Sequence, residues 1–328
     1  MVNTTGAVLG LNTRPCHGIC PRVPQPGGEK PMDLRADHRI LQYGPFGCAT
    51  VKPFSVTRRS VDGASMLKVY RGVQPRSRRV READALRLAR GWGVSTPVLL
   101  ATGEEADYAW SVVSVVPGVP GSVTTTADVT NFVQRALSLT TNLHARAHGL
   151  SLRPGPGWSD TANQVTTTHQ RLLLEQLSSR CRRLPWWNAL QSMLTPLNDL
   201  PTVHLHGDLK PEHFLADGKK EHVVDWEASG RGPGVCDHVD TMFHLIRDLI
   251  YAGTAPSELP VDVISQVPVT GLVLAWRVVQ WLDRRRPRDI NELSHREFDR
   301  IALAGTSADA VRATGRCIAL LRAVGVPQ

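Results

Sequence analysis

From Ile40 to Tyr70, β-branched and aromatic residues alternate with polar ones around Gly44, Gly47 and the Asp62-Gly63 pair. A period of two with a turn signal between runs predicts antiparallel strands, and Met66-Leu-Lys-Val-Tyr70 is one of them. Between Arg78 and Arg90 the period changes: Val80, Ala83, Leu86 and Leu88 take near-helical spacing, and Gly91 and Gly93 mark the end. After Pro97, the apolar runs Val98 to Ala101 and Ala109 to Val116 flank the acidic turn Gly103-Glu-Glu-Ala-Asp107, as in a hairpin, and Pro117-Gly118 breaks the sheet. Beyond Thr126 the spacing is helical in Val129 to His148, Gln164 to Cys181 and Trp187 to Leu197; it is interrupted from His204 to Glu227 and resumes from about His238. The pattern predicts a small strand-rich part followed by a large helical one. Residues 1–35, rich in Pro, Gly, Thr and Asn without a steady period, are expected to form a flexible arm.

Composition narrows the class. A chain of 328 residues, 41% of them hydrophobic, buries a sizeable core as one large or two medium domains. No stretch approaches the roughly 18 apolar residues of a membrane span, and Met1 to Gly10 lacks a secretory layout, so a cytoplasmic protein without a membrane partner is expected. The six cysteines are scattered, which argues for reduced thiols; Cys16-His-Gly-Ile-Cys20 lacks zinc-knuckle spacing and a second ligand pair. A formal charge of +8 favours anionic partners such as nucleotides or acidic peptides over a polycation. The arginine runs at Arg76 to Arg81, Cys181 to Arg183 and Arg284 to Arg288 come without stacking aromatics or a nucleic-acid motif. They read as solvated helix ends or loops, which argues against nucleic acid.

The densest chemistry lies in His204-Leu-His-Gly-Asp208-Leu-Lys-Pro-Glu-His213, followed by Val223-Val-Asp225-Trp-Glu227. Phosphoryl transfer needs one carboxylate to orient a hydroxyl nucleophile and another to hold the metal on the triphosphate, and Asp208 and Asp225 come from two separate turns. His206-Gly207-Asp208, with a hydrophobic strand ending in Asp225, resembles the signature of the aminoglycoside phosphotransferase and choline kinase superfamily, itself similar to the eukaryotic protein kinases.

The resemblance spans roughly Leu41 to Asp240. It implies an α+β, bilobal protein-kinase-like fold: a small antiparallel β-sheet N-lobe with one helix over residues 36–117, and a larger, mostly α-helical C-lobe over 118–328. By the same resemblance, Asp208 positions the acceptor hydroxyl, Asp225 binds Mg2+ bridging the β- and γ-phosphates of ATP, and His206 braces the catalytic loop. His213 stands where the family places a metal-binding Asn; as a retained ligand it would supply nitrogen and suit Mn2+ better than Mg2+. Lys210, in a string resembling the Ser/Thr kinase loop, would face the γ-phosphate.

In the first lobe the resemblance pairs Lys68, on a strand and directed to the α- and β-phosphates, with Glu82 on the following helix. Gly44-Pro-Phe-Gly47 is the candidate phosphate-covering loop, with a plain strand turn as its alternative, and Val112 to Pro117, including Val115, would line the adenine pocket. Asp240 would brace the backbone near the catalytic loop, His144 would be packed, and the tryptophans of the helical part would mostly fill the core. The implied activity is ATP-dependent transfer to a hydroxyl on a small polar metabolite or antibiotic. The alternatives are a Ser/Thr kinase acting on a peptide or protein, such as a ribosomal biosynthetic precursor, and a nucleotide-binding pseudokinase that regulates a partner, against which the intact Lys68, Asp208 and Asp225 weigh.

Overall fold

The alternating segment folds as three strands, β1 (Phe46–Val51), β2 (Ser55–Ser60) and β3 (Ser65–Tyr70), after a short helix α1 (His38–Leu41). The structure, a computed structural model, describes residues 38–52, 54–72, 74–146, 168–218, 220–285 and 289–328. The N-terminal arm with Cys16 and Cys20, the end of the helix expected to reach His148, Trp158 and the start of the helix expected from Gln164 therefore lie outside the described residues. Asp62-Gly63 turns the chain as expected: Asp62 Oδ1 accepts from the Ser60 hydroxyl at 2.5 Å and the Ala64 N–H at 3.0 Å, while Gly63 takes a φ of 75°. The expected hairpin is β4 (Leu99–Glu104) and β5 (Ala109–Ser114). The five strands pair antiparallel in the order β1-β2-β3-β5-β4, which puts Lys68 of β3 in the middle of the sheet.

Helix α2 (Pro75–Gly91) covers the sheet, but its buried stripe is Arg78, Glu82, Ala85, Leu86 and Ala89, with Ala83 beside it. Two charged residues lie on that stripe because it faces Lys68 and the segment after Asp225, which supply their partners. The apolar spacing alone had pointed to Val80 and Leu88, which are only half-buried.

The helical part comprises β6 (Val119–Pro120), α3 (Thr126–Arg146), α4 (His169–Glu175), α5 (Trp187–Met193), β7 (Thr202–Leu205), β8 (Phe214–Asp217), β9 (Lys220–Val223), β10 (Gly230–Pro233), α6 (Val235–Ala252), α7 (Val261–Ile264), α8 (Gly271–Arg285), α9 (His295–Ala302) and α10 (Ser307–Ala323). The helix expected to reach Cys181 stops sooner, because Asp283 captures both the N–H and the hydroxyl of Ser178 at 2.6 Å and diverts the chain. Likewise α5 ends before Pro196, whose ring cannot continue a helix. Trp186, Trp276 and Trp281 are core residues; the indole N–H groups of the first two donate to the Leu293 and Leu173 carbonyls. Among the described residues the cysteines are free and no helix is long and apolar enough to cross a membrane. Two small sheets, β7 with β10 and β6-β8-β9, hold the loops that carry Asp208 and Asp225.

Candidate active site

Strand β7 runs directly into His206-Gly207-Asp208. The first turn of α6 holds that loop: Asp237 accepts the His206 N–H at 3.1 Å and the Gly207 N–H at 2.8 Å, and His144 Nε2 lies 3.1 Å from its second oxygen. The bracing expected of Asp240 thus falls to Asp237. Asp240, one turn on, pairs instead with Arg277 at 2.6 Å. Gly207 needs its lack of a side chain, since its φ is 83° and a Cβ would run into the Ala228 carbonyl. His206 is fully buried and its Nε2–H donates to the Val224 carbonyl at 3.1 Å, tying the loop to the residue before Asp225. Burial, with His213 adding, pushes its pKa down to about 4. It stays neutral and meets the candidate site through the backbone of its loop and through its ring, whose centroid lies 5.8 Å from that of His213.

Asp225 follows β9 and sits in the left-handed region at φ 62°, ψ 57°. Asp tolerates this conformation better than most residues, and strain of this kind gathers at functional sites. It brings Oδ1 within 2.9 Å of Lys68 Nζ, which also contacts Glu82 at 2.8 Å and Glu227 at 2.8 Å. Burial alone would lower the Lys68 pKa, but the three carboxylates hold it well above the usual ammonium range. Burial would raise Asp225; Lys68, then His213, hold it well below the usual carboxylate range instead. Glu82 is raised by burial in spite of Lys68 and also accepts the Tyr70 hydroxyl at 2.5 Å. Glu227 links the two parts of the molecule, because its other oxygen binds the Arg78 guanidinium of α2.

Asp208 faces Lys68 and Asp225 across the cleft. Its Oδ1 lies 3.2 Å from His244 Nε2 of α6, and its Oδ2 lies 3.3 Å from Lys210 Nζ. Burial, with Arg247 and Arg277 adding, holds His244 well below the usual imidazole range despite the carboxylate; its Nε2 meets Asp208 Oδ1 in a hydrogen bond and also lies 3.3 Å from Arg277 Nη2. Burial would raise Asp208, but that hydrogen bond and the neighbouring His213 and Lys210 hold it well below the usual range. His213 sits between the two aspartates, with Nδ1 2.8 Å from the Asp208 carbonyl oxygen and Nε2 3.3 Å from Asp225 Oδ2. One ligand atom from each of Asp208, His213 and Asp225 lies within 4.8 Å of the others.

These groups border one cleft of about 510 Å³, walled by Lys68, Glu82, Val115, Asp208, Lys210 and Asp225 together with apolar residues of the sheet and of β8. Gly44 and Gly47 do not line it. Gly47 lies inside β1, and the residues of the first hairpin that reach the cleft are Lys52, Phe54 and Ser55, several positions after the expected Gly44 and Gly47. Three contributors went unrecognised in the sequence: Glu227, Arg78 and His244. Arg78 belongs to a run read as solvated, yet only 5% of it is exposed. A charged residue on the same helical stripe as Glu82 was the available signal.

Residues 55–251, more than half of the chain, match the phosphotransferase enzyme family. The chain belongs to that family. No curated protein matches it. Solved structures with similar folds include a thermostable mutant of aminoglycoside phosphotransferase APH(4)-Ia in ternary complex with ADP and hygromycin B, at 14% identity and a TM-score of 0.49, covering 88% of this chain and 98% of that one. The GDP and kanamycin complex of APH(2'')-IIIa has 15% identity and a TM-score of 0.49 over 76% and 90% of the two chains. APH(3'')-Id from Streptomyces rimosus has 15% identity and a TM-score of 0.42 over 84% and 93%. The chain is thus a phosphotransferase, a kinase of hydroxyl groups, with an antiparallel sheet in its first part and mostly helices in its second.

Proposed function

We propose that this enzyme transfers the γ-phosphate of ATP to a hydroxyl of a small polar molecule, with residues 36–117 forming the nucleotide lobe and 118–328 the catalytic and acceptor lobe. The observation that carries the reading is the convergence of Lys68, Asp225 and Asp208 from three separate elements on one cleft. Lys68, centred in the sheet and oriented by Glu82, binds the α- and β-phosphates; Val115 and its neighbours wall the adenine. Asp225 is the residue placed to hold Mg2+, which when bound neutralises charge on the β- and γ-phosphates. Lys210, beside Asp208, stabilises charge on the phosphoryl group in transit.

Asp208 acts chiefly by alignment. A carboxylate held below its usual range is a weak base, so it orients the hydroxyl by accepting its hydrogen bond, and the proton crosses to it late, as the new P–O bond forms and the bond to the leaving ADP breaks. His206 braces this loop from below. Arg247 and Arg277 lie close enough to weaken the basicity of His244, which touches Asp208. Both arginines are themselves paired, Arg247 with Asp248 and Arg277 with Asp240, so an acidic peptide stays as the second reading on the formal charge of +8 alone.

The test is incubation of the purified protein with ATP and a divalent cation against hydroxylated metabolites, antibiotics and acidic peptides, with mass spectrometry for an added phosphate. Transfer lost by a factor of about 10²–10⁴ in Asp208→Ala, with nucleotide binding kept, is expected. Nucleotide binding without transfer to any compound would support the pseudokinase reading instead.

A further inference from the structure

We propose that Lys52, just past the end of β1, is a substrate-binding residue whose ammonium takes hold of the outer phosphates, β and γ, of the nucleotide. The inference rests on the phosphotransferase reading and adds a residue to it. Strand register sets the place. Val113, at the apolar end of the cleft, pairs with Met66; two residues along, Ser111 pairs with Lys68, and Lys68 with Thr57. Ser55 lies two residues beyond Thr57 on the same face of the sheet, about 6.6 Å at ~3.3 Å per residue. Lys52 faces Ser55 across the end of the hairpin, its N–H donating to the Ser55 carbonyl at 2.8 Å. Met66, Thr57, Ser55 and Lys52 all line the cleft. A nucleotide with its base against Val115 and its inner phosphates at Lys68 therefore runs its outer phosphates toward Lys52.

Backbone amides are the usual cradle for phosphates, and they serve where glycine lets the chain come close. The run Val51-Lys52-Pro53-Phe54-Ser55 contains no glycine, Pro53 has no N–H, and the Lys52 N–H is taken up by Ser55. A side-chain cation is what this hairpin end has to offer an anion. That cation is also uncommitted. On the same cleft wall Lys68 contacts Glu82, Asp225 and Glu227, Arg78 binds Glu227, and Lys210 lies between Asp208 and Glu212. Lys52 is exposed and is in no ion pair among the described residues. Its charge is therefore the one on this wall that no carboxylate offsets before a polyanion enters.

The base of the side chain is fastened. Lys52 O accepts from Arg71 Nη2 at 3.0 Å, and Phe54 O accepts from the Arg71 N–H and from Arg78 Nη1 at 3.0 Å each. The same Arg78 binds Glu227, which in turn holds Lys68. Both lysines thus stand on one connected scaffold, and only the stem of Lys52 has to be ordered when the phosphates arrive.

The test is calorimetry on the full chain with Mg2+ at low salt, comparing a non-hydrolysable ATP analogue with AMP, the weaker ligand being followed by displacement. In Lys52→Met the analogue is expected to bind about tenfold more weakly, the scale of a hydrogen bond between charged groups, while AMP, which lacks the outer phosphates, stays within about twofold of the parent. Lys52→Arg keeps the charge and should recover most of the loss. Added salt should narrow the gap between parent and Lys52→Met, because an exposed cation is screened. Analogue binding within about twofold of the parent in Lys52→Met, or equal losses for the analogue and for AMP, would overturn the inference and leave the phosphotransferase reading standing on the parent's own binding of the analogue. A parent that binds no analogue would overturn both.

Discussion

The contact with the largest expected leverage is the one between Arg78 and Glu227. Arg78 is 6% exposed and Glu227 10% at the side chain. Arg78 Nε donates to Glu227 Oε1 at 2.6 Å, and its Nη1 donates to the Phe54 and Arg71 carbonyls at 3.0 Å each. Glu227 Oε2 meanwhile binds Lys68 at 2.8 Å. Replacing Glu227 by Gln keeps the shape but turns an amide N–H2 toward the Lys68 ammonium and strips Arg78 of its counter-charge. Removing one partner of a buried pair costs about 3–5 kcal/mol. At about 2 cal/mol/K per residue of unfolding entropy, a chain this long loses on the order of 5 °C of Tm for 3 kcal/mol. Arg78→Met is expected to cost about as much, because it leaves Glu227 on Lys68 alone and takes a donor from each of the Phe54 and Arg71 carbonyls. Denaturant unfolding of the parent, both single variants and the double variant gives the coupling, expected at about 2–3 kcal/mol. Calorimetry should also show weaker nucleotide binding in Glu227→Gln, since Lys68 is displaced. Single variants within about 0.5 kcal/mol of the parent, with additive effects, would refute the reasoning: the pair would then be a surface contact of the ordinary kind.

Other outcomes follow from the same geometry. Gly207→Ala places a methyl group against the Ala228 carbonyl at a positive φ, so the loop must shift; a displacement of Asp208 by about 1 Å should lower kcat by about 10²-fold with smaller effects on nucleotide affinity. His244→Phe removes the donor on Asp208 Oδ1. A hydrogen bond to a charged group is worth about 1.5–3 kcal/mol, so the Asp208 pKa should rise and the acid limb of the kcat profile should move to higher pH; an unmoved limb counts against this role. His204 is pushed down to about 4, first by burial, so it takes up protons in the unfolded chain near its ordinary value of 6.5 before it can in the folded one. Its stabilising share is present above 6.5 and is lost as pH falls toward 4, about 2 kcal/mol of it by pH 5. Asp240, raised to about 7 by burial, works in the opposite direction over that window, so the measurement is a comparison: the stability gap between the parent and His204→Asn should narrow by about 2 kcal/mol from pH 7 to pH 5.

Local sequence pattern sufficed for the architecture and for the two carboxylates proposed to act in transfer. Alternation from Ile40 to Tyr70 and helical spacing beyond Thr126 set the two parts of the fold, because period and turn residues are properties of neighbouring positions. His206-Gly207-Asp208 and Val224-Asp225 were legible for the same reason: each is a local string whose backbone demands, a glycine at positive φ and an aspartate ending a strand, are written in adjacent letters. Tertiary structure alone decided which distant partner each charge meets. Whether Asp237 or Asp240 holds the catalytic loop depends on the rotation of α6 about its axis. Whether Arg78 is solvated or clasped depends on α2 lying against the segment after Asp225. His244 reaches Asp208 only because α6 packs beneath the loop, and the rim of the cleft falls at Lys52, Phe54 and Ser55 and not at Gly44 and Gly47 because hairpin register fixes which residues end the strands. Those contacts join residues far apart in the chain, and their energies depend on burial and geometry that no local pattern carries.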